Sequence, residues 1–384
     1  MLDIMVACGI LVELFGRRDM EILKFFKKNP VMTTSFVIAL ISSFFVPPDK
    51  AYLGYIDLKT IVCLFIVLSV VCALRDADFF YVMAQKIVAL FKTTRNCIMA
   101  LVLISLVGSM LITNDTALLT FLPLGYFVLS TTGKEKHLAF TFIMQTLAAN
   151  LGGMLTPFGN PQNLYLYTSF NISTAEFLRI MLPPFTVSLV LIFLCCVFVK
   201  NEPLEIVSEH RALNKKKTAL FLGLFGLAVL VVLRLASYWI GLAVITAVLF
   251  FADRNALKKV DYTLMATFVF FFVFAGNMAR IDVVQRLFSM LLEKNTILVS
   301  ALLCQIISNV PAAILLSQFT ENYAGLLVGV NIGGVGTIIA SLASLITLNE
   351  YGKHVPKGGK AYLLKFSTYN FAFLAILLLA MKLF

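Results

Sequence analysis

Charge is scarce in this 384-residue chain: only 13% of its residues are Asp, Glu, Lys or Arg, about half the quarter typical of soluble domains. Acidic residues are the rarer sign, 20 against 31 basic, for a formal net charge of +11. Histidine occurs three times, at His137, His210 and His354, all read as loop positions. That argues against a histidine proton relay or a membrane metalloenzyme. The seven cysteines (Cys8, Cys63, Cys72, Cys97, Cys195, Cys196, Cys304) lie mostly in apolar runs with no CxxC spacing. They read as small core residues, not as metal ligands or a disulfide framework. Paired carboxylates, a nucleophile elbow and an ATP-binding motif are missing, so an enzyme is disfavoured and any transport runs on a gradient.

Apolar residues are abundant instead: 60% of the chain, about 230 residues, enough for about ten or eleven membrane helices at roughly 20 residues each. This excludes a soluble enzyme, a disordered chain and a nucleic-acid-binding domain, because the basic excess has no large water-facing surface to sit on. The expected fold is an all-α polytopic membrane protein in contact with lipid. Acidic groups precede the first apolar stretch and basic ones follow it, the reverse of a signal peptide. Residues 1–30 therefore predict a retained interfacial helix. Spans are expected near 31–48, 58–74, 178–199, 218–233, 238–252, 263–279 and 361–381. Three further apolar stretches carry polar clusters: TNDT within 96–130, TPFGNPQN within 139–167, and SNVP and NIGGVGT within 296–348. Such clusters are tolerated at membrane depth only where protein buries them or they line a water-filled cavity. We expect re-entrant hairpins at 96–130 and 296–320 and broken helices at 139–167 and 322–348.

With the N-terminus inside, 22 of the 31 basic residues fall in proposed cytoplasmic segments and eight in outer ones, with Lys365 just inside the last span. This asymmetry appears only if both hairpins return to the side they entered from. The halves also carry matching landmarks. Asp57 and Asp261 each open an apolar span, with an aspartate, Asp78 or Asp282, 21 residues further on. The tips Asn114-Asp115-Thr116 and Asn309-Val310-Pro311 follow, and then NLGGMLT at 150–156 against NIGGVGT at 331–337. The charge count puts Asp57 outside and Asp261 inside, so the repeats are inverted, an arrangement common in secondary transporters. Residues 31–199 then hold the first scaffold helices and repeat 1, 200–217 a basic cytoplasmic linker, and 218–384 repeat 2 and the last helix.

Pro157 and Pro161 disfavour helical geometry at Thr156 and Asn160 and interrupt hydrogen bonding twice within five residues. Half-helix carbonyls suit a hard cation and half-helix N–H groups suit an anion. The candidate coupling-ion positions are Asn114, Asp115, Asn150, Gly153, Thr156, Pro157, Gly159 and Asn160, with Asn309, Asn331, Gly334, Thr337 and Ser341 in the second half. Candidate substrate contacts are Asn114, Asp115, Thr116, Asn163, Ser308, Asn309, Pro311 and Ser344. The glycine pairs also fit plain helix packing. Asp115 is the only carboxylate deep in an apolar stretch, about twenty residues from Arg95 and Lys134. An ionised Asp at mid-membrane costs roughly 2.5–3.5 kcal/mol or more. It reads as a cation or proton site, with a hairpin-tip cap as the plainer alternative. No arginine stands among these residues to clamp a carboxylate.

LITNDTALLTFLPL, NLGGMLTPFGNPQNL, ISNVPAAILL and NIGGVGTIIASLASLI together resemble the ion transporter superfamily, and most nearly its small bacterial citrate-transporter-domain permeases. The resemblance covers nearly the whole chain from about residue 31. It implies a homodimer in the bacterial inner membrane, a scaffold and a moving elevator region, and a small anionic substrate bound with sodium between the tips and breaks. No cofactor is implied beyond a coupling sodium or proton. The tips depart from the Ser-Asn-Thr of dicarboxylate symporters: here they read Thr113-Asn114-Asp115 and Ser308-Asn309-Val310. The first resembles the tip of arsenite permeases. An ion-coupled organic-anion carrier and an arsenite or sodium/proton antiporter using Asp115 thus both remain open.

Overall fold

A computed structural model describes residues 29–204 and 213–383. The N-terminal helix expected at 1–30, Cys8, His210 and the middle of the basic linker lie outside the described residues.

The chain is built of helices, and among the described residues β-pairing is limited to one isolated bridge, Thr93 with Pro203. Among the described residues, seven helices are long and apolar enough to cross a membrane, and four shorter apolar helices accompany them. The protein is therefore an all-α polytopic membrane protein. In chain order the elements used below are α1 (Pro30–Phe45), α2 (Leu58–Asp76), α3 (Phe79–Val88), α4 (Thr94–Leu111), α5 (Asn114–Thr131), α6 (Leu138–Gly152), α7 (Pro161–Ser169) and α8 (Thr174–Val197). After the linker come α9 (Lys215–Val232), α10 (Tyr238–Ala252), α11 (Tyr262–Ala279), α12 (Asp282–Ile307), α13 (Asn309–Leu316), α14 (Tyr323–Ile332), α15 (Leu342–His354) and α16 (Gly359–Ala380).

The two landmark aspartates are helix caps. Asp57 accepts the Thr60 N–H at 3.0 Å and opens α2, and Asp261 accepts the Leu264 N–H at 2.9 Å and opens α11. Each satisfies one of the amides that a helix start leaves unpaired. The second pair of aspartates marks two helices absent from the list of expected spans. Asp78 precedes α3, and Asp282 begins α12, whose first part ends in non-helical geometry at Asn295. The second hairpin arm is thus the 296–307 part of α12, and an additional amphipathic helix precedes it.

Packing repeats the same order in each half. α4 lies along α6, and α12 lies along α14. α1 packs on α11, while α2 packs on α9 and α10. At the end that the charge count places inside, Glu202 ties three loops together. Its carboxylate meets Lys134 at 2.6 Å and Lys136 at 3.1 Å, and its carbonyl accepts the Thr94 N–H at 2.8 Å. Lys134 and Lys136 hold this carboxyl far below the ordinary carboxylate range, at about 2. His354 is not in a loop: it ends α15, stacked on Tyr126 with ring centroids 3.5 Å apart.

Candidate functional site

Both polar stretches break where their local chemistry demands it. Thr156 (φ −119, ψ 148) and Asn160 (φ −136, ψ 143) are extended, the geometry a following proline enforces. The second break contains no proline. There Gly336 at φ +125, a conformation closed to most side chains, turns the chain and Ser341 is extended. The breaks therefore open α7 at Asn160 and α15 at Ser341 inside the protein, and the short helix α13 begins beside them at the second tip, Ser308.

Hydrogen bonds at the two breaks come in matching pairs. Thr156 Oγ1 donates to the Met110 carbonyl (2.7 Å) and Thr337 Oγ1 to the Gln305 carbonyl (3.0 Å). The Asn114 N–H donates to Gly159 O (3.1 Å) and the Asn309 N–H to Ala340 O (3.0 Å). Each tip asparagine then accepts the next residue's N–H, Asp115 at 3.0 Å and Val310 at 2.9 Å. Two asparagines cross between the halves. Asn150 accepts from Asn114 Nδ2 and from Ser341 Oγ, both at 2.9 Å. Asn331 accepts from Asn160 Nδ2 (3.2 Å) and Gln162 Nε2 (3.3 Å), and donates to Asn163 Oδ1 (2.6 Å). Asn114, Asn150, Asn160, Asn163, Asn309, Asn331, Ser341 and Ser344 are all buried.

The glycine pairs divide their work. Gly152 and Gly333 face the hairpin arms, against Leu106 and Ala301, where a side chain would strike backbone. Gly153 and Gly334 face the breaks, against Asn160 and Asn309. Gly159 is enclosed by backbone: a Cβ there would meet the Gly153 carbonyl and lie 2.8 Å from Ser109 O. Gly159→Ala is therefore expected to push the break off the α4 arm. Thermal unfolding should register a loss of about 1–3 kcal/mol, with transport falling further, and an unchanged unfolding temperature would count against this packing.

Asp115 occupies the first turn of α5, but Thr113, not Asp115, is the cap residue. Its Oδ1 is sealed from solvent and meets no hydrogen-bond partner among the described residues. The same holds for Asn160 Oδ1, Gln162 Oε1 and Ser344 Oγ. Three of these four are oxygens that can only accept unless protonated. The carbonyls freed by the breaks are mostly taken by amides. Asn163 Nδ2 lies 3.2–3.3 Å from the carbonyls of Gly153, Met154 and Thr156. Gln305 Nε2 donates to Gly333 O (2.9 Å) and Val335 O (3.1 Å), and its Oε1 accepts the Thr337 N–H (2.8 Å). Gln305 was not among the sequence candidates. The only signal for it was one amide in an apolar helix, three residues before Ser308. Pro157 and Pro311 are buried and shape the chain, while Thr116 Oγ1 pairs with Thr113 Oγ1 (3.0 Å).

Comparison with known proteins bears directly on this arrangement. A family model described as citrate transporter matches residues 21–325. The chain belongs to the citrate transporter family. It is 35% identical over 317 residues to the uncharacterized transporter MJ0456 of Methanocaldococcus jannaschii, covering 80% of this chain and 87% of that one. It is 31% identical over 317 residues to the inner membrane protein YbiR of Escherichia coli, covering 80% and 83%. The silicon efflux transporter LSI3 of Oryza sativa subsp. japonica matches at 29% over 156 residues, 40% of this chain and 31% of its own. The citrate transporter match takes in both tips and the first break entire, and it ends before the second break. This chain is a membrane transporter, not an enzyme.

Proposed function

We propose that this protein is an ion-coupled secondary carrier of a small organic anion, of the di- or tricarboxylate class, working by an elevator movement. The observation that carries the reading is that three buried acceptor oxygens at the first tip and the first break, Asp115 Oδ1, Asn160 Oδ1 and Gln162 Oε1, meet no donor among the described residues. Oxygens left in this state favour a cation or a proton as the coupling partner. The N-terminal ends of α7 and α13 offer backbone N–H groups to an anion. The matched hydrogen bonds at 156 and 337, and at 159 and 340, support an internal repeat. The inverted orientation of that repeat rests on the charge count. In this reading α4–α7 and α12–α15 move against a scaffold of α1, α2 and α9–α11, and two copies meet through the scaffold. The N-terminus lies in the cytoplasm and the bilayer is the inner membrane.

A second reading is an arsenite or cation/proton antiporter, favoured by the Asn114-Asp115 tip and by the absence of arginine among the site residues. A thermal-shift series separates the two. Purified protein is titrated across pH with citrate, succinate, arsenite, sulfate and sodium, since a ligand of the folded state stabilises it by mass action. We expect a carboxylate to stabilise the protein at millimolar concentration, and more so with the coupling cation or at lower pH. Stabilisation by arsenite alone would overturn the organic-anion reading.

A further inference from the structure

The short helices α7 and α13 build the site with their N-terminal ends, and their other ends build something else. A cavity of about 330 Å³ lies where they meet α2 and α11, walled by Tyr55, Asp57, Lys59, Tyr165, Thr168 and Gln318. A second cavity of about 310 Å³ shares Lys59 and is walled by Arg234, Ser237 and Tyr238. Lys59 is half-buried and makes no ion pair or hydrogen bond among the described residues. Arg234 donates through one Nη to the Tyr167 carbonyl and lies 4.4 Å over the Tyr167 ring. Its Nε is buried without a partner among the described residues, and the residue is held at φ +63. Asp57 is the one carboxylate in these walls, and it is committed to capping α2 through Thr60 at 3.0 and 2.6 Å.

The carbonyl ends of α7 and α13 would by themselves repel an anion. Arg234, docked from outside against Tyr167 in the last turn of α7, offsets that field there, and Lys59 adds a second positive charge with no carboxylate committed to it. Partly desolvated cations in a low-dielectric cleft concentrate anions, and their unpaired N–H groups suit carboxylate or other oxyanion oxygens. The space is adequate for a small ligand, at roughly ten water volumes in the larger cavity. Tyr165 stands five residues along α7 from Asn160, roughly 7.5 Å at 1.5 Å per residue. We propose that the two cavities form an antechamber in which Lys59 and Arg234 bind a small oxyanion before it reaches the helix breaks. This rests on the reading that the cargo is an anion.

Sign-selective thiol labelling tests it. Thr168→Cys is placed in a Cys195→Ser background, since Cys195 is the one cysteine among the described residues that is not buried. The protein in nanodiscs is treated with methanethiosulfonates bearing either a sulfonate or a trimethylammonium group. Rates are referred to Lys357→Cys on the surface. We expect the sulfonate-to-ammonium ratio at position 168 to exceed the reference by roughly tenfold, to fall towards it with Lys59→Gln or with added salt, and sulfonate labelling to slow when citrate is added. A thiol that neither reagent reaches, or a ratio indifferent to both Lys59→Gln and salt, would overturn the antechamber. Protection by anionic-lipid nanodiscs in place of citrate would assign the anion to a lipid headgroup and overturn the cargo role. If the charge preference and its dependence on Lys59 persist but no carboxylate protects, the antechamber stands and the organic-anion reading falls.

Discussion

Asp115→Asn protein folds at least as well as the wild type and fails to accumulate cargo against a gradient. The expectation follows from what the carboxylate does and does not touch. One oxygen is sealed from solvent with no partner among the described residues, and the residue is not the helix cap. A first-turn carboxylate gains about 0.3–1 kcal/mol from the helix dipole. Burying it at membrane depth costs roughly 2.5–3.5 kcal/mol, so the cost wins and the amide should match or exceed wild-type stability. Transport behaves the opposite way, because Asn offers no exchangeable charge to a coupling cation or proton. Reconstituted into liposomes, the variant should lose at least tenfold in gradient-driven uptake while cargo-for-cargo exchange persists. Uptake at the wild-type level under imposed sodium or proton gradients would reduce Asp115 to a first-turn acidic residue and move coupling elsewhere.

The long spans were legible because apolar runs and their punctuation determine them directly. The expected 238–252 is the observed Tyr238–Ala252, and 178–199 is observed as Thr174–Val197. The proline rule also carried through to the backbone angles of Thr156 and Asn160. What escaped notice was amphipathic. In the segments led by Asp78 and Asp282, charges such as Lys86, Arg286 and Glu293 interrupt the apolar run and give the helix a polar face. In the site, the repeated Asn-x-Gly-Gly pointed to both breaks because the same pattern appears twice. The partners were not legible, since Asn160 reaches Asn331 across 171 residues and no local pattern encodes that choice. Gln305 escaped for a related reason: one amide in an apolar helix acquires meaning only when the loop that wraps it is placed in space.

The crossed asparagines carry the second large effect, and Asn331 is the more exposed to a test. Its side chain makes four hydrogen bonds, to Asn160, Gln162, Asn163 and the Leu327 carbonyl. Asn331→Ala removes them together. Gln162 then keeps no side-chain partner, since its Oε1 already lacks one, and Asn163 Oδ1 loses its donor. Individual hydrogen bonds between membrane helices average only about 0.6 kcal/mol, whereas a buried polar group left without a partner costs about 1–3 kcal/mol. Two orphaned groups therefore decide the outcome, and we expect a loss of about 2–5 kcal/mol in unfolding measured in mixed micelles. Asn163 also holds the carbonyls of Gly153, Met154 and Thr156, so the first break should loosen although the substitution lies in the second half. A double-mutant cycle of Asn331→Ala with Asn163→Ala isolates that link, with an expected coupling of at least 0.5 kcal/mol. Additive effects would mean that the halves merely touch here, and that the two breaks open independently of one another.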